Sequence, residues 1–255
     1  MKNSTSHTST LLSIDHGKVI RWLLRIAGVL AICHLTNLAL GFPSWQLERL
    51  FNLGYEANIP TWFSSFYWAI AFVAAFRCAQ LTNQKFEKKL WILIALGFLA
   101  FSIDETAQIH ENIFRIIDLF FPKTIQREII TNFKRSDWPI IASPFLVATL
   151  IALSFTLKRL LKGSPRAATL LGLGFFMVIL GGWGLEITIN FLNHGTLQWV
   201  WEIENVFEES LEMLGAITII SGLFAHHNVL QSRFMESQKD DAITMRYGKK
   251  FRTTQ

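Results

Sequence analysis

Residues 60–81 read Pro60-Thr-Trp-Phe-Ser-Ser-Phe-Tyr-Trp-Ala-Ile-Ala-Phe-Val-Ala-Ala-Phe-Arg-Cys-Ala-Gln-Leu81. The stretch holds no acid and one cation, Arg77. A helix of this length covers roughly 33 Å, enough to cross a hydrocarbon core of about 30 Å. Five further apolar runs of similar length lie at about 19–42, 90–111, 138–157, 167–192 and 203–225. Hydrophobic residues make up 51% of the 255 and charged residues 17%, against about 25% charged in a soluble domain. Mean hydropathy is +0.33. There are too few charges to coat a soluble globule and too much apolar mass for disorder. The chain therefore reads as an all-α polytopic membrane protein with six transmembrane helices in a domain over 18–230. A polar tail (1–17) precedes it, and a basic, solvated tail (231–255) follows. Trp22, Trp62, Trp91, Trp138, Trp199 and Trp201 fall near span ends, as an interfacial belt would.

The cations set the expected orientation. With the N-terminus in the cytoplasm, 18 of the 24 Lys and Arg fall on the inner side. These include Lys18, Arg21 and Arg25, then Arg77, Lys85, Lys88 and Lys89, then Lys158, Arg159, Lys162 and Arg166, and the cations of the C-terminal tail. The outer loops hold Arg49, Arg115, Lys123, Arg127, Lys134 and Arg135. The positive-inside rule thus places both termini in the cytoplasm, and the net charge of +5 needs no nucleic acid to explain it. The first run is longer than a signal-peptide h-region, so it reads as an uncleaved anchor. Cys33 and Cys78 sit at opposite depths, which disfavours a disulfide. In the long outer loop, Ile125, Ile129, Ile130 and Phe133 recur at helical spacing. This fits a helix on the membrane surface or one packed over the bundle end.

The acids carry the functional signal. Asp104, Glu105, Glu111, Glu186, Glu204, Glu208, Glu209 and Glu212 lie in or at the ends of apolar runs. A carboxylate within a span costs several kcal/mol unless paired, protonated or ligated. In the third run Asp104, Gln108 and Glu111 share a helical stripe, with Glu105 to one side and His110 to the other. In the sixth, Glu204, Glu208 and Glu212 form a ladder flanked by Asn205 and Glu209. In the fifth, Gly181-Gly182-Trp183-Gly184-Leu185 precedes Glu186, Asn190 and Asn193. At about 1.5 Å rise per residue, all three groups fall in the outer half of the bilayer. Glu202 and Glu204 also fit a wet helix N-terminus that favours acids. His34 reads as a bonded packing residue, and His226 and His227 as solvated groups at the inner end.

An oxygen-rich set with one histidine suits a divalent cation: Mn, Fe, Ca, Mg or Zn. The candidate ligands are Asp104, His110, Glu111, Glu186, Glu208, Glu209 and Glu212, and the candidate catalytic groups are Asp104, Glu105, His110 and Glu208. The paired Glu-x-x-His units of a helical di-iron site are absent. So are G-x-G-x-x-G, P-loop, G-x-S-x-G and C-x-x-C patterns.

Three motifs together resemble a family of uncharacterised bacterial multi-pass membrane proteins. They are Asn58-Ile59-Pro60-Thr61-Trp62-Phe63-Ser64-Ser65, the D-E-x4-H-E of Asp104 to Glu111, and Gly184-Leu185-Glu186 with Glu204-x3-Glu208-Glu209-x2-Glu212-Met213-x-Gly215. The resemblance implies a place in the bacterial inner membrane and supports the carboxylate set; it names no reaction. The residues leave three functions open. One is a metal-dependent enzyme that activates water or oxygen against a lipid-like substrate. The second is a cation or proton transporter using the same carboxylates. The third is a non-catalytic membrane subunit in which the acidic stripe locks helices together.

Overall fold

The computed structural model describes residues 15–109, 112, 138–185, 187–188 and 198–252, and among them there is no strand. The helices described in full are, in chain order, α1 (His16–Ala39), α2 (Trp45–Phe51), α3 (Ile59–Leu81), α4 (Lys85–Ala107), α5 (Trp138–Leu160), α6 (Pro165–Ile179) and α7 (Gln198–Arg252). A π-helical turn, Leu180–Leu185, extends α6. Six of the helices are long and apolar enough to cross a membrane, the organisation of a multi-pass protein.

Local chemistry sets the helix ends. Asp15 caps α1 by accepting from the Lys18 N–H at 3.0 Å. The helix therefore starts one turn before the expected residue 19, and residues 16 and 17 leave the polar tail. Asn58 caps α3 by accepting from the Thr61 N–H at 3.1 Å, with Pro60 in the first turn where its missing N–H costs nothing. The third span was expected to reach Glu111, but α4 closes at Ala107. Gln108 turns left-handed there (φ 52°), and its N–H bonds the Asp104 carbonyl at 2.7 Å. Asp104 and Gln108 therefore do not share one regular helix, and Glu111 lies outside the described residues. The short α2 and the loop behind it were not foreseen. The C-terminal tail is helical as far as Arg252, with residues 231–240 exposed. The amphipathic reading of 125–133 lies outside the described residues.

Helix α7 forms the axis of the bundle, packing against α1, α3 and α6, while α3 packs against α4. Small residues let α6 and α7 touch backbone to backbone, as membrane helices do in the absence of a hydrophobic drive between them. A Cβ added at Gly174 would lie 2.8 Å from the Gly215 carbonyl oxygen, and one at Gly215 would lie 2.8 Å from that of Gly174. Farther along the crossing, Gly222 meets the Leu171 backbone nitrogen in the same way at 3.1 Å. Between α1, α3, α4 and α7 the interior is filled by Tyr67, Ala71, Ala75, Trp91, Ala95, Phe98, Ile219, Ile220 and Leu223, all 2% exposed or less.

One correction concerns the end of the bundle where α1 begins. His226 was expected in solvent but is buried. Its Nδ1 lies 2.9 Å from Ser164 Oγ, and its ring stacks on Trp91. His227, half-buried, meets His16 edge to face. The cause is the approach of α7 to the α5–α6 turn, which turns one face of a helix end inward. Cys33 and Cys78 are both free thiols.

Candidate functional site

The opposite end, where α1 and α4 stop and α3 and α7 start, is covered by the loop Asn52–Asn58. Its backbone is fixed by side chains from three helices. His34 of α1 is fully buried, and its Nδ1 accepts from the Leu53 N–H at 3.0 Å. That bond sets the neutral ring with its proton on Nε2, which faces the Glu202 carboxylate of α7 at 3.7 Å. Asn52, 1% exposed, donates from Nδ2 to Glu202 at 3.3 Å and accepts from the Gly54 N–H at 2.9 Å. Asn58 donates to the Asn52 carbonyl at 2.6 Å, and Thr61 donates to that of Tyr55 at 3.2 Å. Gly54 lies flat on Asn205, where an added Cβ would come within 2.7 Å of the amide carbon. His34 is thus the bonded packing residue that its isolation suggested. Glu202 is not the wet end expected: it is 8% exposed and holds the loop down.

Beneath the loop the acids of α4 and α7 approach one another. Glu105 accepts from the buried Trp68 indole at 3.2 Å and lies within hydrogen-bonding reach of Ser64. The neighbouring Ser65 bonds the Ser102 carbonyl at 2.7 Å. Glu209 is near enough to Glu105, Glu208, Glu212 and Glu56 for their charges to act on it. Asp104 and Glu56 act likewise on Glu105. Like charges held together in a medium of low dielectric repel one another.

Of the ladder Glu204–Glu208–Glu212, the last two members meet the π turn: the Glu208 carbonyl oxygen would lie 2.8 Å from a Cβ on Gly181. Glu212 turns to α6, where its carboxylate lies against Gly182 and its Cγ would meet a Cβ on Gly181 at 3.0 Å. Glu209, which flanks the ladder, feels the charge of Glu212 first and of Glu105 next. The Gly-rich sequence of the π turn explains the contact with Glu212. Three glycines weaken regular helix, and the widened turn brings bare backbone up to the carboxylate.

The structure thus gathers Glu105, Glu208, Glu209 and Glu212, with Asp104 next to Glu105, and adds Glu56 from the loop. His110, Glu111 and Glu186 lie outside the described residues. Among the described residues no three His, Cys, Asp or Glu side chains converge as a metal-ligand set. Glu56 and Asn52 were missed by sequence reasoning. The single usable signal was the Asn52–Asn58 cluster of turn formers next to Pro60.

Over the loop lies a cavity of about 390 Å³ lined by Arg49, Gly54, Tyr55, Glu56, Ala57 and Gln108. Tyr55 donates to Glu48 at 2.7 Å, and this carboxylate holds the phenol above its usual ionisation range.

A model of the DUF8692 family, a domain of unknown function, matches residues 23–227. The chain belongs to the DUF8692 family. The match takes in most of α1, every helix to the middle of α7, the covering loop and all of the gathered carboxylates. DUF8692 is an uncharacterised family, as the motif resemblance implied, and no curated protein or solved structure matches the chain.

Proposed function

We propose that this DUF8692 member is a multi-pass protein of a bacterial inner membrane, with both termini cytoplasmic, that binds a divalent cation near the outer face. In this reading the ion serves as the Lewis acid of a reaction on a lipid-like substrate. The observation that carries the proposal is the approach of Glu209 to Glu105, Glu208, Glu212 and Glu56 inside the bundle. Several carboxylates held together in a medium of low dielectric are relieved by a multivalent cation. Oxygen donors favour Mn, Mg, Ca or Fe, with Zn admitted if His110 joins. His110 and Glu111 follow the end of α4 in sequence, and Glu186 follows the π turn. They are the proposed remaining ligands.

The 18-to-6 division of Lys and Arg supports the orientation. The apolar packing of Tyr67, Ala71, Ala75 and Ile220 beneath the carboxylates favours a one-sided site over a transport path.

Elemental analysis of the detergent-purified protein tests the reading. The expected result is near-stoichiometric divalent metal, lost in Glu209→Gln and Glu105→Gln, with no metal-driven flux in liposomes. Absence of metal, together with no change in thermal stability on adding Mn, Mg, Ca, Fe or Zn, would overturn it. Ion flux that depends on Glu209 would replace the enzyme with a transporter.

A further inference from the structure

The cavity over the loop shares Glu56 with the carboxylate cluster and combines three features of its own. Its lining holds one cation, Arg49, and one acid, Glu56, with the amide of Gln108 beside them. Two of its lining residues, Ala57 (φ 57°) and Gln108 (φ 52°), have left-handed backbone without being glycine. Such conformations are sparsely populated, and they gather where a structure holds a ligand or a switch.

Its setting is the third feature. Helix α2 supplies Arg49 to the cavity while leaving Trp45, Leu47 and Leu50 exposed at 67%, 45% and 44%. Trp62, at the start of α3, is 58% exposed. A short helix with bare Trp and Leu, at the end of six apolar helices, lies where headgroups meet hydrocarbon. A polar cavity opening there meets lipid headgroups before it meets soluble solutes.

We infer that this cavity is a headgroup subsite for a zwitterionic phospholipid, with Arg49 holding the phosphate and Glu56 the ammonium. The inference deepens the proposed function by naming its substrate class. A guanidinium fork suits phosphate oxygens, and a carboxylate beside it repels a purely anionic headgroup while attracting a primary amine. Glu56 also acts electrostatically on both Glu105 and Glu209, so a headgroup in the cavity would sit next to the carboxylate cluster. The volume of about 390 Å³ is at the small end of ligand sites, suited to a headgroup and not to a whole lipid.

The test is lipid binding by the full-length protein in nanodiscs or by native mass spectrometry, with EDTA present so that metal plays no part. Phosphatidylethanolamine is compared with phosphatidylglycerol and with free phosphoethanolamine. The expected result is preferential retention of phosphatidylethanolamine. Arg49→Ala weakens it about tenfold or more, and Arg49→Lys, which keeps the charge, weakens it less. Glu56→Gln leaves phosphatidylglycerol binding as strong as phosphatidylethanolamine binding. Equal retention of both lipids by the unmodified protein, or no effect of Arg49→Ala and Glu56→Gln, overturns the inference. Free phosphoethanolamine binding as tightly as the lipid overturns the lipid assignment. A Glu209→Gln protein that has lost metal but keeps the lipid preference separates this subsite from the cation site. Metal binding without lipid preference sinks the subsite alone.

Discussion

Replacing Gly215 by Ala places a methyl group in the α6–α7 crossing. The new Cβ would lie 2.6 Å from Val178 Cγ2, 2.8 Å from the Gly174 carbonyl oxygen and 2.9 Å from the Val178 nitrogen. Two of the three obstacles are backbone, which no rotamer change can move. To reach the 3.4 Å at which ordinary contact begins, the helices must separate by roughly 0.6 Å. A gap of that size forfeits about a quarter to a half of the dispersion energy of each contact along the seam. In a membrane such packing is a main drive for helix association. The expected loss is about 1–3 kcal/mol, the usual range for overpacking. Gly97→Ala serves as the control, because nothing lies within 4 Å of its added Cβ. There the gain in helix propensity makes the change neutral or stabilising by about 0.5–1 kcal/mol. Both variants would be unfolded by denaturing detergent titrated into mild detergent and followed by circular dichroism. If Gly215→Ala proved as stable as Gly97→Ala, the close crossing of α6 on α7 would be refuted.

The loop and the carboxylates give further expectations. His34→Phe leaves the buried Leu53 N–H without its acceptor and should cost about 1–3 kcal/mol. Limited proteolysis should then cut faster within residues 52–58 while helix content stays unchanged. Tyr55 has its ionisation raised in the folded protein, so its contribution is full at neutral pH and fades only as alkaline pH passes its own ionisation. Titration of phenolate absorbance should show a late component that moves to lower pH in Glu48→Gln. Glu209→Gln removes a buried ionisable group from among the other carboxylates and should raise the melting temperature of the metal-free protein. In the proposed reading it also abolishes the stabilisation by added metal, which for the unmodified protein is about 2.7 kcal/mol at a hundredfold excess over Kd.

The sequence by itself determined that the chain makes six membrane-length helices. Hydropathy accumulates along a segment and needs no knowledge of its neighbours, so Pro60–Leu81 was readable alone. The acids of α4 and α7 stood out for the same reason, since a charge in an apolar run is anomalous wherever the helix packs. The histidines show where this ends. His34 and His226 are each one residue in an apolar helix, and only packing decides that one anchors Leu53 and the other Ser164. The third span also ran on in sequence where the backbone turns left-handed at Gln108, because a cap depends on the chain around it and not on hydropathy. Which acids face one another was likewise a tertiary matter. A helical wheel gives relative angles but no absolute direction. It grouped Glu204, Glu208 and Glu212, and only the packing shows that Glu212 lies against Gly181 and Gly182 of the π turn and that Glu105 of another helix acts on Glu209. Glu56 joins them from a loop whose course is set by bonds to His34, Glu202 and Thr61, partners scattered from the first helix to the last.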